Sequence, residues 1–424
     1  MIPIVSDAIC CQCLEDPHLR TYVLEHGEVL ECSECGESDQ VAITLEQLGK
    51  LMEPIMRENF MLGEAYKVFD GDDDRGRWMQ TGEDIENLVQ EVLGQYVSIN
   101  GAIAEAVVDA EEYWPSRGEE AFWDPTSNYV PRPSGTEFYH SQWDNTLTEL
   151  KYGRRFFSPA ARRLFKKLFA DVEGLRARAG TRTRPVVRRL PVGTSLYRAR
   201  VCNSKADLDA AFAAPFTRVG PPPKEMARAG RMNAEGVVVF YGATEPETAR
   251  AELRPALQSD ILQIVVQTTA PLRILDFSRL EAARSSLRLS YFQSNYREEL
   301  ERSRFLQFLH ALISRPIVPG HEADYLITQT MAEYLAHVHE ASFDGIVFSS
   351  AQRAGGTNVV LFSDPTLLTG SVEDAFHIRY VDSSIRLFST TAIKYTHREV
   401  EVRVNPDSGA PLALDQIIGL NEDF

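Results

Sequence analysis

The sequence has little positive charge. Its 424 residues include 44 Lys and Arg against 61 Asp and Glu, which gives a formal net charge of −17 at pH 7. A nucleic-acid-binding face needs clustered cations, and an acidic protein is repelled by anionic membranes. We therefore expect neither a nucleic-acid partner nor a membrane partner. An anionic small molecule could bind only where arginines are locally concentrated.

Long apolar runs are also absent. No stretch approaches the roughly 18 to 20 apolar residues that span a bilayer. The first ten residues have neither the basic stretch nor the apolar core of a secretory signal. We therefore expect a cytoplasmic protein. With 44% hydrophobic and 25% charged residues the composition is typical of globular chains, and 424 residues predict two or three domains.

Cysteine is scarce and unevenly placed, since five of the six cysteines lie within the first 35 residues. Two C-x-x-C pairs are separated by eighteen residues, which is the spacing of a closed, structural four-thiolate zinc site. The cysteines of the two pairs are Cys10, Cys13, Cys32 and Cys35. A redox dithiol is the main alternative. Cys11 is left as a bystander or an alternative ligand, and we interpret Cys202 as an ordinary free thiol.

The pattern of the chain predicts an α+β protein in four segments. They are a zinc-ribbon-like element at 1–45, a mainly helical region at 46–185, a mixed-sheet domain at 190–375 and a C-terminal β extension at 376–424. An acidic loop, D-G-D-D-D-R-G at 70–76, lacks the glycine and glutamate of a calcium-binding EF-hand. We interpret that loop as solvated.

Apolar periodicity and turn residues locate the main elements. Helices are predicted at 82–94, 158–175, 245–255, 295–314 and 322–340. Strands are predicted at 194–200, 236–241, 261–267, 272–277, 344–348 and 358–362, with further strands in I-R-Y-V and E-V-E-V-R-V after residue 376. Ser158 is the expected N-cap of its helix, and Thr244 with Glu247 predicts a capping box.

The stretch from Ala227 to Pro255 contains the residue types of an anion site beside a carboxylate. Arg231 lies in a Gly-rich loop, Tyr241 ends a strand and Glu252 lies in the following helix. Arginines can grip a pyrophosphate with forked hydrogen bonds, and a carboxylate can stabilise an oxocarbenium-like sugar. Each residue also has an ordinary interpretation, as half of a surface ion pair or as a core tyrosine.

Motifs along the chain resemble the RES domain, a family named for its arginine, glutamate and serine. The matching pieces run in order from Leu196 to about Phe362. They are Y-R at 197–198, G-R-M-N-x-x-G at 230–236, F-Y-G-A at 240–243, T-A-R-A-E at 248–252, D-G-I-V-F-S-S at 344–350 and N-V-V-L-F at 358–362. The resemblance implies an ADP-ribosyltransferase-like fold and an NAD-degrading, toxin-type enzyme. Members of this kind are NAD phosphorylases, which yield nicotinamide and ADP-ribose-1″-phosphate, and some are hydrolases.

The resemblance also implies roles for individual residues. Arg198 and Arg231 would bind pyrophosphate or inorganic phosphate, and Tyr241 would position or stack on the nicotinamide ribose. Glu252 would stabilise the oxocarbenium or bind the ribose. The family serine corresponds to Ser350 better than to its neighbour at 349, and we leave that assignment open by one residue.

The front of the chain, I-C-C-Q-C-L-E-D-P-H-L with C-S-E-C-G, resembles the HEPN/RES region found fused to RES domains. The RES resemblance implies NAD and phosphate as small-molecule partners and an antitoxin or regulatory protein, and the fused region adds a homo-oligomer as a further option. Arg304 and His310 have the spacing of a HEPN ribonuclease motif but lie outside that region, so we interpret the match as coincidence. The rival functions are an NAD glycohydrolase, an ADP-ribosyltransferase and a non-catalytic partner-binding module.

Overall fold

The chain folds into two compact units, which we call the first and the second unit. The computed structural model describes residues 7–68, 77–114, 116, 118–133, 135–179, 182–281, 283–285, 289–314, 322–364 and 371–393. The first unit comprises Met1–Gly135 with Leu287–Glu301, and the second comprises Thr136–Ser286 with Arg302–Phe424. The boundaries of the four predicted segments stay predictions. The acidic loop at 70–76 and the E-V-E-V-R-V strand lie outside the described residues.

The first unit begins with a small antiparallel sheet. Strands β1 (Ala8–Cys10), β2 (Glu28–Val29) and β3 (Val41–Thr44) pair in the order β1-β3-β2, and helix α1 (Pro17–His26) lies between β1 and β2 in the chain. Asp16 caps α1 because its carboxylate accepts the backbone N–H groups of His18 and Leu19. The buried Leu19 and Val23 attach α1 to the core of the unit.

Three longer helices complete the core of the first unit. They are α2 (Leu45–Asn59), α3 (Ile85–Leu93) and α4 (Asn100–Asp109). Thr44 and Gln47 form a capping box at the start of α2, and α3 is the helix predicted at 82–94. Short strands accompany the helices. β4 (Phe60–Leu62) pairs with β7 (Tyr129–Pro131), and β5 (Ala65–Val68) pairs with β6 (Arg77–Gln80).

The second unit opens with helices α5 (Glu137–Tyr152) and α6 (Pro159–Leu168). Ser158 caps α6 as predicted, since its Oγ accepts the N–H of Ala161 at 3.1 Å. The helix predicted to continue to residue 175 ends at Leu168 instead. A turn with Asp171 at φ 52° and a 3₁₀ turn lead into strand β8 (Leu175–Ala179).

A nine-stranded sheet forms the centre of the second unit. Its strands are β10 (Val187–Leu190), β11 (Ser195–Cys202), β12 (Val239–Ala243), β13 (Asp260–Thr268), β14 (Leu272–Asp276), β16 (Gly345–Ser349), β17 (Thr357–Phe362), β18 (Ile378–Tyr380) and β19 (Arg386–Ser389). Their order is β10-β14-β16-β17-β12-β11-β13-β18, and β19 also pairs with β13. β14 and β16 pair in parallel and their neighbours antiparallel, so the predicted α+β class with a mixed sheet is confirmed. A smaller sheet joins β15 (Ala283–Ser285), β8 and β9 (Arg182–Pro185).

Alternate side chains along the strands of the large sheet pack into two separate hydrophobic cores, one on each face. Ile346 and Val360 pack with an aromatic core that includes residues of α5 and α6, while Val347 and Val359 pack on the opposite face. Among the described residues the other helices are α7 (Lys205–Ala213), α8 (Pro215–Val219), α9 (Pro246–Ala251), α10 (Phe277–Leu280), α11 (Tyr296–Ser314), α12 (Leu326–Glu333) and α13 (Val372–Ala375). The π-helix Tyr334–Val338 extends α12. Within the described residues no helix is long and apolar enough to cross a membrane.

Candidate active site

A cavity of about 350 Å³ lies where two strands of the large sheet separate. β11 pairs with β13 along its whole length but with β12 only at Tyr197 opposite Ala243. Beyond this single pair the two strands leave room between them. The cavity is lined from β11, β12, β16 and β17 and from the segment that follows α9. Arg198, Arg231, Tyr241 and Glu252 are among its lining residues, so the structure brings four of the predicted residues together.

Arg198 is held by two backbone carbonyls. Its Nε donates to the oxygen of Val219 at 2.8 Å and its Nη1 donates to the oxygen of Tyr241 at 2.6 Å. Burial lowers the pKa of Arg198 to about 10, which still leaves the group a cation at neutral pH. This arginine therefore presents a fixed positive charge at the wall of the cavity.

Tyr241 anchors the loop that carries Arg231. Its hydroxyl accepts the N–H of Met232 at 2.9 Å and donates to Oδ1 of Asn233 at 3.0 Å. A Cβ on Gly230 would lie 2.8 Å from the same hydroxyl, so the approach needs a glycine there. Burial raises the pKa of Tyr241 to about 12, so the hydroxyl keeps its proton. Because the hydroxyl is engaged with the loop, the aromatic ring is what Tyr241 can offer a ligand.

Arg231 has no carboxylate partner among the described residues. Its guanidinium carbon lies 5.8 Å from the centre of the Tyr325 ring, and its backbone oxygen accepts the hydroxyl of Thr328 at 2.7 Å. The interpretation of Arg231 as half of a surface ion pair therefore does not apply to this structure. Its charge is available to an anion in the cavity.

Glu252 lies immediately after α9, with its side chain exposed at the cavity. Its Oε1 accepts the hydroxyl of Ser350 at 2.5 Å and Nδ2 of Asn358 at 2.9 Å. Asn358 is buried at the start of β17. Two donors on one oxygen fix the plane of the carboxylate and leave Oε2 without a donor among the described residues.

Ser350 and Ser349 have different surroundings. The Ser350 hydroxyl accepts the N–H groups of Gln352 and Arg353, each at 3.1 Å, while it donates to Glu252. Ser349 lines the cavity, and its N–H donates to Nε2 of His310 at 3.0 Å. The structure thus places the hydroxyl at 350 on the glutamate, although the role assigned to that hydroxyl stays a prediction.

Hydrogen bonds connect the loop between β16 and β17 to the start of α9. Oε2 of Glu245 accepts the N–H of Thr357 and the hydroxyl of Thr248, both at 2.9 Å. Nη1 of Arg353 donates to the same Thr248 hydroxyl at 3.2 Å. Glu245 is the N-cap residue of α9 by its backbone conformation, and its side chain accepts no backbone N–H of the helix, so the capping box predicted at Thr244 is wrong.

Sequence reasoning missed two residues of the site. Asn358 could have been noticed as a polar residue that opens an otherwise apolar strand, N-V-V-L-F. Arg254 also lines the cavity, two residues after Glu252, and no recognised motif included it.

The four cysteines of the C-x-x-C pairs meet in the first unit. Their Sγ atoms all lie within 4.8 Å of one another, with Cys10 at 3.6 Å from Cys13 and 3.8 Å from Cys35, and Cys13 at 3.9 Å from Cys32. A tetrahedral zinc with Zn–S bonds of about 2.3 Å requires sulfurs about 3.8 Å apart, so the arrangement fits zinc. Cys11 is buried in the core outside this group, which makes it a bystander.

Polar side chains connect both C-x-x-C turns to the segment between α3 and α4. Nε2 of Gln95 donates to the oxygen of Cys13 at 2.7 Å. Glu34, inside the second pair, accepts the N–H and the hydroxyl of Ser98 at 2.8 and 2.7 Å. Burial opposes ionisation of Cys32, but N–H groups from Cys35, Cys10 and Glu34 outweigh it and lower its pKa to about 7. Burial raises the pKa of the Cys10 and Cys13 thiols, so of these three thiols Cys32 is the one that ionises most readily, and metal binding would displace the protons of the other two.

A protein-family model described as the RES domain matches residues 195–382. Every residue predicted for the site lies inside that range, and the cysteine cluster lies outside it. Domains of this family are associated with NAD-acting, toxin-type proteins. No curated protein and no solved structure matches the chain. The HEPN/RES resemblance of the N-terminal region stays a prediction.

Proposed function

Since residues 195–382 are a RES domain, we propose that this protein is an NAD phosphorylase. It cleaves the nicotinamide–ribose bond of NAD and transfers the ADP-ribosyl group to inorganic phosphate, and is thus a glycosyltransferase. The products are nicotinamide and ADP-ribose-1″-phosphate. The observation that carries the proposal is the Glu252 carboxylate, oriented by Ser350 and Asn358 in a cavity lined by arginines.

The cavity suits one end of a dinucleotide. Small-molecule sites commonly enclose about 300 to 1,000 Å³, and a cavity of about 350 Å³ would take the nicotinamide ribose. The guanidinium groups of Arg198 and Arg231 bind the pyrophosphate through forked hydrogen bonds. The ring of Tyr241 packs against the nicotinamide ribose.

Glu252 acts on the sugar when the glycosidic bond breaks. The C1″–N bond of the ribose lengthens, and positive charge develops on C1″ and the ring oxygen. A carboxylate with a fixed orientation stabilises this charge without reorganising during the step. Nicotinamide leaves as a neutral molecule, so the leaving group needs no proton. A phosphate oxygen then completes the new bond to C1″.

Two further proposals concern regulation and stability. An enzyme that consumes NAD is toxic to the cell that makes it, so we propose that an antitoxin or regulatory protein restrains it.

Cys10, Cys13, Cys32 and Cys35 hold a structural zinc, which stabilises the first unit and takes no part in the chemistry.

Incubation with NAD, with and without inorganic phosphate, tests the reaction when products are followed by mass spectrometry. Phosphate-dependent formation of ADP-ribose-1″-phosphate is the expected result. ADP-ribose formed regardless of phosphate would identify a glycohydrolase, and a modified macromolecule would identify an ADP-ribosyltransferase. An NAD pool that stays intact would contradict every enzymatic reading and favour a partner-binding module.

The variant Glu252→Gln tests the role of the carboxylate. Loss of an oriented charge that stabilises a transition state lowers kcat by about a hundredfold or more. Glu247→Gln is the matched control, because Glu247 lies in α9 shortly before Glu252, pairs with Arg250 and does not line the cavity. Equal activity of the two variants would remove Glu252 from the mechanism.

A further inference from the structure

Arg254 has a backbone conformation that arginine rarely adopts. Its φ is 45°, in the left-handed region where residues other than glycine are uncommon. The next residue is Pro255, and proline pushes the residue before it toward extended backbone. Both local preferences therefore oppose the conformation observed. Such strain persists where surrounding structure enforces it, and it is concentrated at ligand sites.

The strained turn brings Arg254 to the cavity. After α9 the N–H of Leu253 donates to the oxygen of Arg250 at 3.2 Å, and the N–H of Arg254 donates to the oxygen of Ala251 at 3.0 Å. These bonds tighten the chain so that Glu252 and Arg254, two residues apart, both line the cavity. A glycine would take this φ without strain. The presence of an arginine here points to a use for its side chain.

The lining of the cavity carries more positive charge than a pyrophosphate requires. Three guanidinium groups stand against one carboxylate, that of Glu252. Arg198 is bonded to backbone carbonyls and Arg231 lies beside the Tyr325 ring. The Arg254 side chain is exposed, and no described residue forms an ion pair with it. A cleft with surplus cations concentrates anions.

We propose that Arg254 binds the phosphate that attacks the ribose, an inference that rests on the proposed function. A phosphate dianion that approaches C1″ is repelled by the Glu252 carboxylate. A guanidinium two residues from that carboxylate offsets the repulsion, and its fork orients a phosphate oxygen toward the carbon. That oxygen forms the bond to C1″ as the C1″–N bond breaks, and the electron pair leaves on the nicotinamide nitrogen. Arg254 thereby selects phosphate over water as the acceptor.

Two variants separate the side chain from the fold. Arg254→Gly removes the guanidinium and relieves the strained φ, so the fold is retained. Arg254→Lys keeps the charge but loses the fork. Arg228→Gln is the control, because Arg228 is exposed near the Arg231 loop and does not line the cavity.

Initial rates over a grid of NAD and phosphate concentrations give the first readout. We expect the KM for phosphate to rise about tenfold or more in Arg254→Gly, since a charge-assisted hydrogen-bond pair is lost. The KM for NAD should change by less than about threefold, because Arg198 and Arg231 remain. The KM of Arg254→Lys for phosphate should lie between the values of the unmodified protein and of Arg254→Gly. A rise confined to the KM for NAD would overturn the proposal and would assign Arg254 to the pyrophosphate.

Calorimetric titration with inorganic phosphate alone gives a readout that needs no turnover. We expect phosphate to bind the unmodified protein and the Arg228→Gln control, and to bind Arg254→Gly about tenfold more weakly. Equal binding to all three would overturn the role of Arg254, even if NAD is cleaved. Weakened binding in a protein that leaves NAD intact would refute the proposed function and retain Arg254 as an anion-binding residue.

Discussion

In the first unit four thiols lie within 4.8 Å of one another, and polar side chains hold both of their turns in place. In the second unit Arg231 and Glu252 line a cavity with hydrogen-bonding capacity that no described residue uses. Both regions gather reactive side chains from distant parts of the chain. In the first unit the reactive side chains contact one another, whereas in the second unit part of their hydrogen-bonding capacity remains available to a ligand.

The difference indicates how each region uses its polar groups. A closed four-sulfur site has no position for a substrate, so its value is the stability that a metal adds. An open cavity gives up stability, because its charges are not neutralised within the fold. The inference that chemistry resides in the second unit rests on this contrast as well as on motif resemblance.

The largest effect is expected from loss of the metal. Apparent binding energies of structural zinc are about 10 to 16 kcal/mol in zinc-finger peptides, as large as the whole stability of a typical domain. Chelation, or the variant Cys13→Ser, should therefore abolish hydrogen-exchange protection in peptides from 8–44. Peptides from 260–276 in the second unit should keep their protection, because none of the four cysteines belongs to that unit.

Cys202→Ser is the matched control for the metal experiment, since this thiol lies in the second unit and is not part of the cluster. It should leave the exchange of 8–44 unchanged. Full protection of 8–44 after complete chelation would break the contrast between the units, because the cluster would then contribute nothing to the fold.

The second expected effect concerns the two residues that orient Glu252. A hydrogen bond to a charged group is worth about 1.5 to 3 kcal/mol, so Ser350→Ala and Asn358→Ala should each lower kcat about ten- to a hundredfold. If both act by fixing the same carboxylate, the double variant should lose less than the product of the two effects. Steady-state rates of NAD cleavage measure all three.

Ser349→Ala sharpens this test, because Ser349 also lines the cavity but has no bond to Glu252. We expect its kcat to stay within about threefold of the unmodified enzyme, less than the loss of one hydrogen bond. An equal loss in the variants at 349 and 350 would contradict the carboxylate-orienting role of Ser350. Such a result would instead favour a direct role of Ser349, the serine that lines the cavity.

Much of the second unit could be predicted, because its strands are short runs of β-branched and aromatic residues between clear turns. The order of the motifs also predicted Arg198, Arg231, Tyr241, Glu252 and Ser350 from the sequence alone. The capping box at Thr244 failed for a reason that local sequence cannot show. Glu245 is engaged by the N–H of Thr357, a contact across 112 residues, and it replaces Thr244 at the helix start.

The two missed residues illustrate the same limit. Asn358 reaches Glu252 only because β17 pairs with β12 and β16 in a particular register, opposite Ala243 and Phe348. Arg254 reaches the cavity through a backbone conformation that local rules disfavour before a proline. Sheet pairing and backbone strain depend on the whole fold, so the motifs predicted a candidate site but not all the residues that line it.

The smallest expected effect is a difference in acid sensitivity between two hydrogen-bonded contacts, that of His310 in the second unit and that of Glu34 in the first. Burial lowers the pKa of His310 by disfavouring its cation, and the charges of Glu281 and Asp276 offset this only in part. An unfolded histidine takes up its proton near pH 6.5. Below that pH the unfolded state therefore binds more protons than the folded one, and the free energy of unfolding falls. Protonation would also remove the Nε2 lone pair that accepts the N–H of Ser349.

In the first unit the group used for comparison is Glu34, whose pKa is lower than the range from pH 7 to 5. Burial opposes ionisation of Glu34, but the hydrogen bonds from Ser98 and Ile99 prevail and lower its pKa below the ordinary 4.5. Its contribution is present above the unfolded pKa and is lost only as the pH falls through the folded value. Between pH 7 and 5, hydrogen exchange corrected for intrinsic rates should rise around His310 and Ser349, while peptides around Ser98 should stay protected.

His310→Gln tests this last prediction, because a glutamine oxygen can accept the Ser349 N–H and does not titrate. Each unit of pKa difference is worth about 1.4 kcal/mol once the pH lies below both values. The variant should therefore lose less stability than the unmodified protein between pH 7 and 5, measured as the free energy of unfolding in denaturant. Parallel losses in both proteins would assign the acid sensitivity to another group. The His310–Ser349 contact at the cavity wall would then be as insensitive to this pH range as the Glu34–Ser98 hydrogen bonds.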